Sequence, residues 1–281
     1  MSYQQPLGHE QRLQQQQQYY IPPTGPPSTE QYYHPQQSRF TTSQGNSQPS
    51  QPVYQQHPSN SGLFSGGSYQ ITHRDANAVL TLTLHHGTTV RSAPGAMIHM
   101  SGDIQLTGKV KFSMKKLFAG GQMSESHYAG PGSVALGPTF FGDIIALHID
   151  GRQDWIIGKD TFLACTVDVS RESKSQGLSQ ALFSGEDLFV YRVMGQGIIW
   201  LTSFGAVDRL DLLTGEQHVV DNGHLVAWSC DYKVEKAGGS SSTSIKTGEG
   251  LVCRFTGPGS IFIQTRNLEE FTAFVQSITQ V

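Results

Sequence analysis

Cysteine is scarce. Cys165, Cys230 and Cys253 are the three in 281 residues, and no two are spaced as Cys-x-x-Cys. That excludes a disulfide framework, a zinc knuckle and a thioredoxin-like motif, and it fits a reducing compartment. Charge is scarce as well: Asp, Glu, Lys and Arg make up 15% of the chain, with a formal net charge of -3. A surface dominated by Lys and Arg is not expected, which argues against DNA as a partner and disfavours RNA. No apolar run approaches the roughly 20 residues that cross a bilayer as a helix. No secretory apolar segment follows Met1. There is no Gly-x-Ser-x-Gly elbow, and no glycine motif carries the Walker Lys-Ser/Thr.

What is present divides at about residue 68. Residues 1–68 are rich in Gln, Pro, Tyr and Ser, with the run Gln14 to Gln18 and the pairs Tyr19-Tyr20 and Tyr32-Tyr33. Such a segment has too few apolar side chains to offset the entropy of ordering, so a disordered tail is expected. Gln interspersed with Tyr is also the composition of self-associating tails. Ser59 to Ser68, with Gly62, Gly66 and Gly67, reads as the linker into the fold.

From Tyr69 the pattern changes to strands. Leu80, Leu82 and Leu84 alternate with Thr81 and Thr83, the period of a half-buried strand. Two turn-plus-strand blocks then recur. One opens on Gly130-Pro131-Gly132, Gly195-Gln196-Gly197 and Gly257-Pro258-Gly259. Pro before Gly predicts a type II turn. After it Val134 and Leu136, Ile199 and Leu201, and Ile261 and Ile263 point one way. Trp200 and Phe262 point the other way, where Ala135 stands in the first copy, so that second face lies between two layers or in a subunit contact. The other block opens on Pro94-Gly95, Lys159-Asp160 and Asn222-Gly223.

The blocks alternate three times at a spacing of about 60 to 65 residues, which predicts three β-rich repeats, at about 69–137, 138–203 and 204–266. Asp150-Gly151 and Thr214-Gly215 are expected as hairpin turns. The chain closes on a predicted helix over 268–280. Asn267 caps it, and Leu268, Phe271, Phe274, Val275 and Ile278 form one apolar stripe that is expected to pack on the sheets or on a neighbouring subunit.

Thr247-Gly248-Glu249-Gly250-Leu251, Arg254-Phe255-Thr256-Gly257-Pro258-Gly259 and Pro94-Gly95-Ala96-Met97 resemble the altered-inheritance-of-mitochondria family. The resemblance covers residues 69 to the C-terminus. It implies three tandem short double-stranded β-helix units, similar to the tryptophan RNA-binding attenuator protein. It also implies rings of three chains, a link to mitochondrial biogenesis and inner-membrane organisation, and no established catalytic residue. A mitochondrial location follows from the resemblance, whereas the missing basic amphipathic presequence points to the cytoplasm.

The chemistry on offer is thin. Pro94-Gly95-Ala96-Met97-Ile98-His99 looks like part of a cupin metal motif, with His99 as the one candidate ligand. Its usual His-x-His and Glu partners are absent, and His85-His86 would face opposite sides of a strand. Lys109, Lys111, Lys115 and Lys116 with Phe112 form the one basic-aromatic cluster. The reading that fits best is a non-enzymatic homo-oligomeric scaffold without cofactor, with Trp200, Phe262, Phe271 and Phe274 as interface candidates. The alternatives are a cupin-like metal-dependent enzyme and a single-stranded RNA binder. The turn glycines and prolines, Gly95, Gly130, Pro131, Gly132, Gly195, Gly197, Gly257, Pro258 and Gly259, are structural in every reading.

Overall fold

The computed structural model describes residues 59–108, 125–175, 189–237 and 251–279. Alternation does what the sequence pattern expects of it. Leu80, Leu82 and Leu84 are buried, while Thr81 and Thr83 between them are not. Among the described residues the fold is all-β with one α-helix, at the C-terminal end.

Two strands lead in. β1 (Ser61–Phe64) and β2 (Gly67–Thr72) form an antiparallel hairpin across Gly66, whose φ is 85°. The folded body therefore begins inside the stretch expected to be a linker. Only Leu63 and Phe64 are large and apolar there, too few to raise a strand signal. The hairpin is held by a glycine turn and by Phe64, which packs on Trp200.

Six strands follow: β3 (Val79–Leu84), β4 (Thr89–Ser92), β5 (Met97–Met100), β6 (Gln105–Gly108), β7 (Ser126–Ala129) and β8 (Gly132–Leu136). Then come β9 (Ile144–Ile149), β10 (Trp155–Gly158), β11 (Phe162–Thr166), β12 (Val169–Ser175), β13 (Phe189–Gly195) and β14 (Gly197–Thr202). The last are β15 (Val207–Leu212), β16 (Gln217–Asp221), β17 (Leu225–Trp228), β18 (Asp231–Lys236), β19 (Leu251–Thr256) and β20 (Gly259–Gln264), followed by α1 (Leu268–Thr279).

Pairing recurs in the same order. β3-β8-β5, β9-β14-β11 and β15-β20-β17 are equivalent triplets, as are β6-β7-β4, β12-β13-β10 and β18-β19-β16. The second kind of triplet joins the first kind of the following set. β4 pairs with β11 and β10 pairs with β17, which makes two six-stranded sheets. One end of the row is the sheet β1-β2-β3-β8-β5, and the other is the three-stranded sheet β16-β19-β18.

Strand alternation divides the interior into three cores. Ile144, Ala146, Ile198 and Trp200 face the first core, with Leu80, Leu82 and Leu84. Their neighbours Ile145, Leu147, Ile199 and Leu201 face the second, with Trp155, Ile157 and Phe262. Ile261, Trp228 and Phe255 belong to the third. Strands buried on both faces read as apolar runs, as Ile198 to Leu201 do. Trp200 and Phe262, 0% and 3% exposed, thus lie between layers of their own chain. The expectation that they supply a subunit contact is corrected, because each core needs a large side chain from the next layer. Ala135 stands at the corresponding place in the end sheet, where no further layer contributes to the described core.

Three turns differ from expectation. The Gly130-Pro131 and Gly257-Pro258 peptides are cis, and Gly132, Gly197 and Gly259 have φ of 139°, 143° and 149°, far from the value near +80° of a type II turn. These turns carry the chain from one sheet into another, from β7 to β8, β13 to β14 and β19 to β20. Asp150-Gly151 and Thr214-Gly215 are likewise crossings between sheets. β9 does not pair with β10, nor β15 with β16. A hairpin and a crossing share the same local glycine, at φ 75° for Gly151 and 79° for Gly215, so local composition does not separate them.

Candidate functional site

The second recurring turn, in all three of its copies, and the helix enclose a groove. The turns before β11 and β17, with part of the one before β5, and the inter-sheet segments around Phe140 and Phe204 form one wall of a groove of about 720 Å³. The helix α1 forms the other wall. Asn267 starts it, its Oδ1 accepting from the backbone N–H of Glu269 at 2.9 Å. The Asn267 side chain lies against Gly223, where a Cβ would collide with it. That contact docks the helix on the turn, and a side chain at position 223 would have to displace the Asn267 amide.

Gln264 fixes the floor. Its side-chain oxygen accepts from the Phe204 N–H at 2.8 Å, and its Nε2 donates to the Gly223 carbonyl at 2.9 Å. Its own carbonyl meets His224 Nδ1 at 2.7 Å. Hydroxyls along the wall are held by backbone. Thr161 donates to the Gly158 carbonyl at 2.9 Å, and Ser203 donates to the Gly205 carbonyl at 2.8 Å. Lys159 and Asp160 at the rim are exposed and 3.9 Å apart, a pair that contributes little in water. Trp228, 0% exposed, is the most deeply buried aromatic of the lining. Its ring packs edge-on against Tyr232 and Phe255, at 5.1 and 5.8 Å, and its indole Nε1 is buried without a hydrogen-bond partner among the described residues.

The helix sits differently from the expected orientation. It presents Leu268, Glu269, Thr272, Ala273 and Gln276 to the groove. Phe271, 37% exposed, packs at a tilt against Phe204 at 5.3 Å, and Phe204 meets Phe140 at 5.9 Å. Phe274 and Ile278 remain 61% and 57% exposed. Of the apolar stripe, Leu268, Phe271 and Val275 are thus partly covered, whereas Phe274 and Ile278 are left uncovered by the described residues.

His99 lies in β5, exposed and paired with Ala135. No group of three or more His, Cys, Asp or Glu among the described residues is placed to hold a metal ion. His85 and His86 sit in the exposed turn after β3 rather than in a strand. The basic cluster Lys109, Lys111, Lys115 and Lys116 with Phe112 lies outside the described residues. The three thiols are buried, and burial pushes Cys165 and Cys230 up to about 11 and Cys253 to about 12. A thiol held protonated this way is a poor nucleophile. The sequence reading missed the groove's Trp228, Gln264 and Asn267. The turn residues opposite them were visible as a repeat, but nothing local shows that the helix returns to them.

Arg171 is the most enclosed cation. Its guanidinium lies 3.2 Å from the Phe162 ring centroid and donates to Glu125 at 2.6 Å. Arg91 donates to the same carboxylate at 3.1 Å and also reaches the Val169 carbonyl. These bonds tie the first six strands to the second six, and they serve the fold. No helix among the described residues is long and apolar enough to cross a membrane.

Three comparisons place the chain. The family described as mitochondrial biogenesis AIM24 matches residues 69–266. An uncharacterised protein of Streptococcus pyogenes serotype M6 is 31% identical over 209 residues, which are 69% of this chain and 83% of that protein. A crystal structure of a Streptococcus pyogenes protein superposes with a TM-score of 0.63 at 27% identity, over 75% of this chain and 98% of that one. The chain belongs to the mitochondrial biogenesis AIM24 family.

Proposed function

We propose that this member of the AIM24 family is a non-enzymatic scaffold that works as a homo-oligomer, in mitochondrial biogenesis and inner-membrane organisation. The observation that carries the reading is apolar surface without cover. Met97 and Ile98 on β5 and Phe274 and Ile278 on α1 are each 39% exposed or more. Large apolar side chains gathered on a strand edge and on one helix face mark interaction surfaces rather than scattered surface residues. The description of the family, mitochondrial biogenesis, supports the mitochondrial association, and the resemblance supports three copies.

The test is light scattering on the full chain as it elutes from a sizing column. The expected mass is a multiple of the 30.7 kDa chain, three by resemblance. A well-folded monomer at micromolar concentration overturns the reading. Location is tested separately, by imaging a C-terminally tagged chain against a mitochondrial marker.

A further inference from the structure

Asn222-Gly223 is the one Asn-Gly pair in the chain. The other four asparagines, Asn46, Asn60, Asn77 and Asn267, precede Ser, Ser, Ala and Leu. An Asn-Gly pair can react with itself. The backbone nitrogen of the glycine loses its proton and bonds to the Asn Cγ, and the amide nitrogen leaves as ammonia. Water then opens the resulting five-membered imide at either carbonyl, which gives aspartate or isoaspartate. A side chain on the second residue crowds the attack, and glycine has none. The fold does not require Asn at this place, since Pro94 and Lys159 stand there in the other two copies of the turn.

The native turn keeps the reacting atoms apart. Asn222–His224 form one turn of 3-10 helix, closed by the Leu225 N–H donating to the Asn222 carbonyl. Helical ψ turns the next backbone nitrogen away from the side-chain carbon that it must reach. The Gly223 N–H donates to Asp221 Oδ1 at 2.8 Å, and the Gly223 carbonyl accepts from Gln264 Nε2 at 2.9 Å. The open side of Gly223 is filled by the Asn267 amide. Two of these three contacts come from the segment that carries α1. Phe271 holds the same helix to Phe204 one turn further on. The helix has no fully buried residue, and elements with few buried contacts open before the rest of a fold.

We propose that Asn222 is a deamidation site locked by the docking of α1. It converts when the helix lifts and the 3-10 turn opens, and its isoaspartyl product prevents redocking. An isoaspartyl linkage routes the main chain through the Cβ of residue 222 and so lengthens it by one carbon. Gly223 is then displaced from Gln264 and Asn267, and a new carboxylate stands next to Asp221. The change runs in one direction, so the groove wall records each opening of the helix that lasts long enough to react.

The full chain is incubated in neutral buffer, folded or in urea, and peptide mass maps with isoaspartate detection follow residue 222 over time. In urea Asn222 should convert before any other asparagine, and Asn222→Gln should abolish conversion at that position. The folded chain should convert at least about tenfold more slowly, as a site that reacts only through local opening does. Asn267→Ala, Asp221→Ala and Phe271→Ala should each speed the folded reaction several-fold while circular dichroism is unchanged and the thiols stay protected. Phe271→Ala does so without touching the turn, and it decides the matter where a change at the turn unfolds the chain. In the converted protein the amides of α1 should exchange hydrogen faster. Asn222→Asp, which adds the charge without the extra main-chain carbon, should leave them as they are. Earlier conversion of another asparagine in urea overturns the site. Equal rates folded and in urea, or a folded rate that Phe271→Ala leaves unchanged, overturn the lock. Unchanged exchange of α1 after conversion overturns the one-way release.

Discussion

Trp200 meets Tyr69 edge to face, with 5.5 Å between ring centroids and 72° between ring planes. Phe64 packs on the same indole at 5.7 Å. One side chain of β14 thus joins the second set of strands to the leading hairpin. Trp200→Ala should cost about 3–5 kcal/mol, the range for emptying a large aromatic from a packed core. The variant should show a lower urea midpoint at an unchanged scattering mass. A change in mass without loss of stability would return Trp200 to a subunit contact.

Arg74 donates to both oxygens of Asp143 at 2.7 Å, from side chains 14% and 5% exposed. Asp143 Oδ1 also accepts from the Ile144 N–H at 2.7 Å, at the start of β9. Arg74→Ala should destabilise by about 3–5 kcal/mol, because it leaves a carboxylate buried with its main counter-charge removed. Arg74→Ala combined with Asp143→Ala should lose less than the sum of the two single changes. Chemical unfolding of the four proteins in a double-mutant cycle measures the coupling, and additivity would refute it.

Strand positions were legible because their signal is local. The alternation of Ile198 to Leu201 and the glycines at 132, 197 and 259 need only a few neighbouring residues to be read. Partners in space were not legible. Asp150-Gly151 looks like a hairpin turn, yet it carries the chain between sheets, and only long-range pairing decides that. The sequence pattern points to a covered second face for Trp200, but not to its cover, Tyr69 and Phe64, of which Phe64 lies in the low-complexity segment. The groove stayed hidden for the same reason, since Gly223 and Asn267 meet through the tertiary fold.

The thiols give a prediction about pH. Burial raises Cys165 and Cys230 to about 11 and Cys253 to about 12, from an ordinary value of 9.0. Between pH 9 and 11 the folded chain keeps protons that the unfolded chain releases, so stability is greatest below pH 9 and falls as pH rises through that window. The native protein should be almost unreactive to a thiol reagent at pH 8, and all three cysteines should react once it is denatured. Fast labelling of the native chain would show that a thiol is open to solvent.

The leading hairpin sets where the chain can be shortened. β1 pairs with β2 over four residue pairs, from Ser61 opposite Gln70 to Phe64 opposite Gly67. The Asn60 carbonyl accepts from the Ile71 N–H at 2.6 Å. Phe64 fills space beside Trp200, whereas Leu63 is 80% exposed and contributes little. A chain starting at Ser59 retains these contacts, and its melting temperature should lie within about 5 °C of the full chain. A chain starting at Gly67 loses the ladder and the Phe64 ring, and it should melt lower than the chain starting at Ser59. Phe64→Ala in the full chain should account for most of that loss, and for less than the about 3 kcal/mol of a fully buried Phe, because Phe64 is half-buried. If both truncations melt alike, β1 adds nothing to the first core and the fold begins at β2.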